Sequence, residues 1–232
     1  MTRRHRSRRS LGAVAVAVSV AAGGALLHHH AAADPAAAAP AASVQQFSEL
    51  IAKVTVVKDI TAVAGYQRGC KKGEACSFGL AWNDPESHTG CDTRFRVLAA
   101  QLHDVSFKPG THNCKVAGGW VVDPYTGQRI TLQQTQIDHV YPLHRAYSAG
   151  AAQWPLARRQ QFANDPRNLL AVSAHANESK GDAGPGKWLP PNPGERCPYV
   201  VGYLSVAVAY ELPISASDKA ASIGVCGSRG RP

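Results

Sequence analysis

Four polar residues in the middle of the chain have the types and order that phosphodiester chemistry requires. Asp138 and His139 are adjacent, and Asn168 and Asn177 follow them. Asp138 and the amide oxygen of Asn177 can hold a divalent cation, because oxygen ligands suit hard cations such as Mg²⁺ or Mn²⁺. His139 can deprotonate a water when its imidazole is neutral. The pattern predicts a one-metal phosphodiesterase in which Asn168 orients the segment that carries His139.

The segments around these residues predict the elements that must position them. In chain order we expect a strand, two helices, a second strand and a third helix, over residues 136–140, 142–148, 155–163, 168–172 and 173–180. Ser173 is a candidate cap for the third helix. Because neighbouring side chains diverge on a strand, Asp138 can face a cation while His139 faces the attacking water. Asn177 then comes from the facing helix.

The rest of the chain predicts an α+β protein. We expect a helix capped by Ser43, a loop over residues 65–90, a helix over 94–102 capped by Asp92, a hairpin over 115–132, a loop over 181–194 and helices over 198–210 and 217–225. A single domain over residues 43–232 is the economical interpretation, and its motif core covers residues 136–188.

Residues 1–33 have the composition of an export signal. Five arginines precede an apolar run over residues 11–27, and small residues follow where cleavage would occur. A membrane anchor is the alternative, but the run is short and rich in Ala. Residues 34–42 form an Ala/Pro linker. Cleavage would lower the net charge from +9 to +4, because residues 1–33 hold no acid. We expect a secreted protein without stable membrane association, and the sequence leaves Sec or twin-arginine export open.

Six cysteines follow the predicted signal, and an even number in an exported chain indicates disulfides. A cysteine zinc site is disfavoured because the chain has no C-x-x-C pair. Several pairings are possible, and we favour neighbours in sequence: Cys70 with Cys76, Cys91 with Cys114, and Cys197 with Cys226.

Three segments of the chain carry a resemblance to a known family. They are residues 137–143, which contain the Asp-His pair, residues 164–170 and residues 177–182, with further similarity at residues 90–94, 123–127 and 188–192. Together they resemble the HNH endonuclease superfamily, in the branch similar to the C-terminal domain of GmrSD-type enzymes. The resemblance covers roughly residues 65–226. The sequence departs from that pattern at Phe95, where Asn is expected, and at Glu178, where a basic residue is expected.

The resemblance implies a ββα-metal (HNH) core, here with additional helices, a β-hairpin and disulfides. Asp138 and Asn177 match the metal ligands of the family, His139 the general base and Asn168 the central asparagine. The implied cofactor is Mg²⁺ or Mn²⁺, with Zn²⁺ as a further option. His144 and His175 are extra imidazoles near the motif that the pattern does not include.

The expected activity is metal-dependent hydrolysis of DNA, with RNA as a further substrate and with low sequence specificity. Arg94 and Lys180 are candidate contacts to substrate phosphate. One alternative is a catalytically degenerate HNH scaffold that binds nucleic acid or a cell surface outside the cell. A secreted antibacterial toxin would share the chemistry and would require an immunity protein as its partner.

Overall fold

The computed structural model describes residues 39–227, and it contains seven α-helices and seven strands in that range. The helices are α1 (Ala39–Lys53), α2 (Thr93–Gln101), α3 (Leu143–Ser148), α4 (Leu156–Asn164), α5 (Ala174–Lys180), α6 (Arg196–Tyr210) and α7 (Ala216–Cys226). The strands are β1 (Val56–Val57), β2 (His103–Phe107), β3 (Val116–Val122), β4 (Arg129–Thr131), β5 (Thr135–His139), β6 (Leu169–Ser173) and β7 (Ile214–Ser215). The predicted export signal, residues 1–33, lies outside the described residues.

Strands β5 and β6 and helix α5 form a continuous strand–strand–helix unit. The two strands are antiparallel, with His139 opposite Leu169. Helix α5 follows β6 directly because the Ser173 hydroxyl caps it by accepting a hydrogen bond from the Ala176 N–H at 3.2 Å. It ends at Gly181, whose φ of +53° lies in the region that favours glycine. All three elements agree with the sequence prediction to within one residue at each end.

A second sheet, in the order β2–β3–β4, was only partly predicted. Strands β3 and β4 form the expected hairpin, and β2 is antiparallel to β3 on its other side. Strand β2 has no recognisable pattern in the sequence, because its residues are mostly exposed and lack a regular apolar alternation. Helix α2, capped by Asp92 as predicted, joins the two sheets through an apolar cluster that includes Leu98, Val121 and Leu169.

Helix α6 lies in the larger apolar cluster of the protein. Nine of its 15 residues are buried, including Tyr199 and Tyr203, and a helix that is apolar on most sides belongs in a core. Phe47 of α1, Phe162 of α4 and Ala176 of α5 pack in the same cluster. The core therefore fixes α5, which carries Asn177, relative to the rest of the protein.

Residues 58–92 contain neither helix nor strand, and disulfides brace this segment. One disulfide closes a short loop within it and another connects its end to the segment before β3, while the third joins α6 to α7. They pair Cys70 with Cys76, Cys91 with Cys114, and Cys197 with Cys226. These are the pairs that the sequence favours. Each disulfide contributes about 2–4 kcal/mol by restricting the unfolded chain.

Two sequence-based expectations about local structure were wrong, and one pair of strands was not predicted. Helix α1 begins at Ala39, so Ser43 lies inside it, and residues 39–42 of the predicted linker are helical. Alanine-rich sequence has a high helix propensity, which explains the earlier start. Pro142 and Pro155 are N-cap residues rather than first-turn residues. The short parallel pair of β1 and β7 was not expected.

Within residues 39–227, the helices are too short or too polar to span a bilayer.

Candidate active site

A cleft with a volume of about 330 Å³ brings together three of the predicted site residues. Asp138 and His139 reach it from the end of β5, and Asn177 reaches it from α5. Its other lining residues come from the loop before α2, from β5, from the start of α3 and from the segment just after α5: Tyr66, Arg68, Ile137, Pro142, Leu143, His144, Gly181 and Asp182.

Asp138 is a buried carboxylate that is held from two sides. It is 4% exposed. Its Oδ2 accepts a hydrogen bond from the Tyr125 hydroxyl at 2.6 Å, and its Oδ1 accepts one from Lys180 Nζ at 2.9 Å. Lys180 also donates to the carbonyl oxygen of His139 at 2.9 Å. A carboxylate has about four lone-pair sites, so each oxygen of Asp138 can still accept a further ligand from the cleft.

His139 is a neutral imidazole with a defined tautomer. Its Nε2 lies 2.9 Å from the carbonyl oxygen of Ala163. Because a carbonyl oxygen only accepts, Nε2 carries the proton and Nδ1 keeps its lone pair. Burial, with smaller contributions from the charges of Arg68 and Lys180, lowers the pKa of His139 from 6.5 to about 4, while the hydrogen bond to the Ala163 carbonyl and the charge of Asp138 oppose this shift. At pH 7 the Nδ1 atom is therefore available to accept a proton.

Asn168 holds the backbone that follows the Asp-His pair. It is fully buried and does not line the cleft. Its Oδ1 accepts from the Tyr141 N–H at 2.8 Å, its Nδ2 donates to the Tyr141 carbonyl at 3.2 Å, and its own carbonyl accepts from the Val140 N–H at 2.9 Å. Asn168 thus fixes the chain just after His139 without reaching a ligand in the cleft.

Asn177 presents an oxygen rather than a donor to its surroundings. Its Nδ2 donates to Gln136 Oε1 at 2.7 Å, and the Gln136 amide nitrogen in turn donates to Glu178 at 3.1 Å. The chain of bonds uses the nitrogen of Asn177 and leaves its Oδ1 as the atom for a ligand. Glu178, the acid that departs from the expected pattern, accepts the last of these bonds and does not line the cleft.

The two residues expected to contact substrate are placed differently. The side chain of Lys180 is 0% exposed and is paired with Asp138, so it lies behind the carboxylate rather than at the surface. Burial lowers the pKa of Lys180, and the Asp138 charge opposes that effect. Arg94, on α2, is not among the residues that line the cleft. His175 is exposed and also lies outside the lining.

Several residues of the site were not predicted to contribute to it, and some of them carry no recognisable signal in the sequence. Trp82 stacks on the His139 ring, with the centroids 5.9 Å apart and 14° between the planes. Arg68 and Tyr66 enter the cleft from a loop without periodicity. Tyr125 lies in the Asp-Pro-Tyr-Thr-Gly turn, and this turn is a signal that could have placed it near the site. His144 pairs with Asp182 at 2.7 Å and stacks on Tyr66.

The donor set of the cleft fits a hard divalent cation that keeps much of its own water. Within the part of the chain that the structure describes, no three His, Cys, Asp or Glu side chains form a metal-binding group. Asp138 and Asn177 instead offer one carboxylate and one amide oxygen at the cleft. Mg²⁺ is commonly bound by one or two carboxylates together with waters and substrate phosphates, and a complete protein cage is not required.

Comparison with known proteins assigns the chain to a class, that of nuclease-related domains. The model of the family described as GmrSD restriction endonucleases, C-terminal domain, matches residues 92–219. This is more than half of the chain, and the chain belongs to that family. The matched segment contains β5, β6 and α5 with Asp138, His139, Asn168 and Asn177. No solved structure matches the chain.

A relative in Arthroderma benhamiae, designated an uncharacterized secreted protein, is 37% identical over 134 residues. The match covers 56% of this chain and 64% of the relative, so the chain spans less than two thirds of the relative's length. This protein is secreted, as its sequence predicts: its relative is designated so, and its three disulfides are typical of an oxidising compartment.

Proposed function

We propose that this protein is a secreted, metal-dependent HNH endonuclease that hydrolyses phosphodiester bonds in DNA, and in RNA as a second substrate. One observation carries the proposal. A neutral imidazole with a free Nδ1 lines the same cleft as a carboxylate and an amide oxygen, in His139, Asp138 and Asn177. The membership in the GmrSD C-terminal domain family supports it.

The strand–strand–helix unit of β5, β6 and α5 is, in this proposal, a ββα-metal core. Asp138 and Asn177 would hold the cation, for which Mg²⁺ or Mn²⁺ is the best match and Zn²⁺ a second choice. Bound there, a divalent cation would neutralise charge on the phosphate and stabilise the leaving oxygen. Lys180 balances the charge of Asp138 and holds the carboxylate in place.

His139 acts as the general base in this mechanism. Its Nδ1 removes a proton from the attacking water, and its Nε2–H stays bonded to the Ala163 carbonyl. Trp82 restricts rotation of the imidazole by stacking on it. Asn168 is a positioning residue, because its two side-chain bonds to Tyr141 fix the backbone after His139. Proton transfer of this kind contributes about 10²–10⁴-fold to the rate.

A plasmid assay tests the proposal. Oxidised protein recovered from the culture medium is incubated with plasmid DNA in Mg²⁺, Mn²⁺, Zn²⁺ or EDTA. We expect nicking that requires a metal and falls about 10²–10⁴-fold in His139→Ala. The matched control is His175→Ala, which removes an exposed histidine outside the cleft and should cleave like the wild type.

Two results would count against this proposal. Equal cleavage by His139→Ala would mean that the base has been assigned to the wrong residue. Binding of nucleic acid without cleavage in any of the metals would point to the alternative, a degenerate HNH scaffold that acts as an extracellular binding protein.

Residues 1–33 are, in the same proposal, an export signal that is removed. The arginines followed by an apolar run and small residues support this. The mass of the protein recovered from the medium should correspond to a chain that starts near residue 34. A mass equal to that of the whole chain would contradict cleavage.

A further inference from the structure

Arg68 has a buried donor with no partner. Its Nη1 is shielded from solvent and makes no hydrogen bond within residues 39–227. None of the ion pairs in this range includes Arg68. An unsatisfied buried donor costs about 1–3 kcal/mol, and more when it is charged, so a native protein that keeps one has a reason to do so.

The position of Arg68 indicates what its partner would be. The side chain lines the same cleft as Asp138, His139 and Asn177. Its charge acts on the imidazole, since it contributes to the lowered pKa of His139. Burial lowers the pKa of Arg68 itself, but a guanidinium stays protonated in proteins. The cleft therefore holds an unpaired positive charge beside the proposed base.

The loop that carries Arg68 is fixed on both sides of it. The Ser77 N–H donates to the Gln67 carbonyl at 2.9 Å, and the disulfide between Cys70 and Cys76 closes the loop two residues after Arg68. Such bracing reduces the number of positions that the backbone can adopt. Less entropy is then lost when the guanidinium binds a ligand.

Resting on the proposed function, we infer that Arg68 binds a phosphate oxygen of the nucleic-acid strand in the cleft. A guanidinium binds phosphate through charged, often bidentate hydrogen bonds, and a rotation of the Arg68 side chain towards the cleft would bring the unpaired Nη1 to that ligand. Arg68 lies outside residues 92–219, so this contact comes from a segment that the family match does not cover. Arg68 would make the contact to substrate phosphate that the sequence predicts for Arg94 and Lys180.

Binding without turnover tests this inference. The probe is a fluorescein-labelled single-stranded oligonucleotide, and its anisotropy is followed with the secreted protein in EDTA over a range of salt. Arg68→Ala should weaken binding about tenfold, equivalent to about 1.4 kcal/mol. The slope of log K against log salt should fall by about 0.7, the value for one phosphate contact on a single strand. Arg68→Lys should keep the slope and bind more weakly than wild type, because lysine lacks the planar fork.

Lys72→Ala is the matched control, since it removes the same charge from an exposed position on the same loop outside the cleft. It should change the affinity less than about twofold, as exposed surface charges usually do. Circular dichroism of each variant verifies the fold. Arg68 carries no side-chain bond that the fold needs, so its substitution should leave the protein folded.

The outcomes separate this inference from the proposed hydrolysis. If the wild type cleaves no plasmid but Arg68→Ala binds the oligonucleotide more weakly than Lys72→Ala, the proposed hydrolysis of DNA is wrong. The inferred contact between Arg68 and phosphate is then supported. If the wild type cleaves and Arg68→Ala binds like Lys72→Ala, the phosphate contact is overturned and the hydrolysis stands. A wild type that binds no oligonucleotide at low salt overturns the contact as well.

Discussion

Two buried carboxylates, Asp138 and Asp218, have similar partners and different surroundings. Each is paired with a cation and contacts a tyrosine hydroxyl: Lys180 and Tyr125 at Asp138, and Arg145 and Tyr203 at Asp218. Asp218 also accepts backbone N–H bonds from Ser215 and Gly186, both at 3.0 Å. Among the described residues, Asp138 accepts hydrogen bonds from side chains only, and it lines the cleft.

The same pairing stabilises the fold at Asp218 and, in the proposed function, serves chemistry at Asp138. Four donors engage Asp218, three at Oδ2 and one at Oδ1, and through them Asp218 caps the start of α7 and links it to Arg145 of α3. Asp138 has one donor at each oxygen and keeps acceptor capacity on the side of the cleft, where a cation or substrate can use it. Backbone donors at Asp218 and contact with the cleft at Asp138 are therefore what distinguish the two carboxylates.

The largest effect should come from removing each charge pair as a whole. Asp138→Asn with Lys180→Met leaves no unpaired charge, so the fold should survive, but plasmid cleavage should fall by at least about 10³-fold through loss of the proposed ligand. Asp218→Asn with Arg145→Met should cleave within about threefold of wild type below its melting temperature. Nicking rates under Mg²⁺ give both values. Equal losses in the two double variants would remove the distinction.

Breaking each pair from the cation side should separate the two sites by their response to Mg²⁺. Lys180→Met and Arg145→Met each leave a buried carboxylate without its cationic partner. Each variant should lose about 3–5 kcal/mol of unfolding free energy. In Lys180→Met a cation can replace the lost charge at Asp138. Tenfold excess over its Kd would restore about 1.4 kcal/mol.

Melting temperatures with and without Mg²⁺ measure this response. The stabilisation by Mg²⁺ should be larger in Lys180→Met than in wild type, and Arg145→Met should show no such gain because Asp218 lies outside the cleft. The same shift in both variants would place the cation elsewhere than on Asp138.

The sequence was sufficient for the elements around Asp138 because their signals are local. The Ser173 cap, the short apolar strands and the glycine after Lys180 specify β6 and α5 within a few residues of chain. The environment of the carboxylate was not accessible in that way. Lysine is almost never fully buried, and the sequence predicts Lys180 as a contact to substrate phosphate rather than as a buried partner of Asp138. Long-range packing brings Tyr125 to Asp138.

The cleft lined by Asp138, His139 and Asn177 is the open site, and the surroundings of Asp218 are the closed one. The pH dependence of stability and of cleavage should also distinguish the open site, through His139. Its pKa is about 4 in the folded protein, against 6.5 as its ordinary value. Between these values the unfolded chain binds a proton that the folded protein does not. The contribution of His139 to the free energy of unfolding is thus fully present above about pH 6.5. It is lost as the pH falls towards 4, a change of roughly 3 kcal/mol.

Urea unfolding of wild type and His139→Gln at pH 7 and pH 4 measures the change, and the difference between the two proteins isolates His139 from other groups. Cleavage by wild type should also persist to about pH 5, because the imidazole stays neutral there. A rate that falls with a midpoint near pH 6.5 would contradict the lowered pKa of His139.

The smallest effect concerns the disulfides that border the two carboxylate sites. Cys70–Cys76 braces the loop of Arg68 at the open site, whereas Cys197–Cys226 joins α6 to α7, the helix of Asp218. Replacing the first pair by serines should weaken oligonucleotide binding about fivefold, or about 1 kcal/mol, because the guanidinium loses its fixed position.

Replacing Cys197 and Cys226 by serines should leave the affinity of the folded protein for the oligonucleotide within about twofold. It should lower stability more than the first replacement does, because a larger loop is released: by loop length, about 3.6 kcal/mol against about 2.4 kcal/mol for Cys70–Cys76. Anisotropy and urea unfolding of the two double variants measure the two effects. If the affinity for the oligonucleotide falls in proportion to the loss of stability in both variants, the Cys70–Cys76 disulfide stabilises the fold only. The loop beside the open site would then make no contribution of its own to binding.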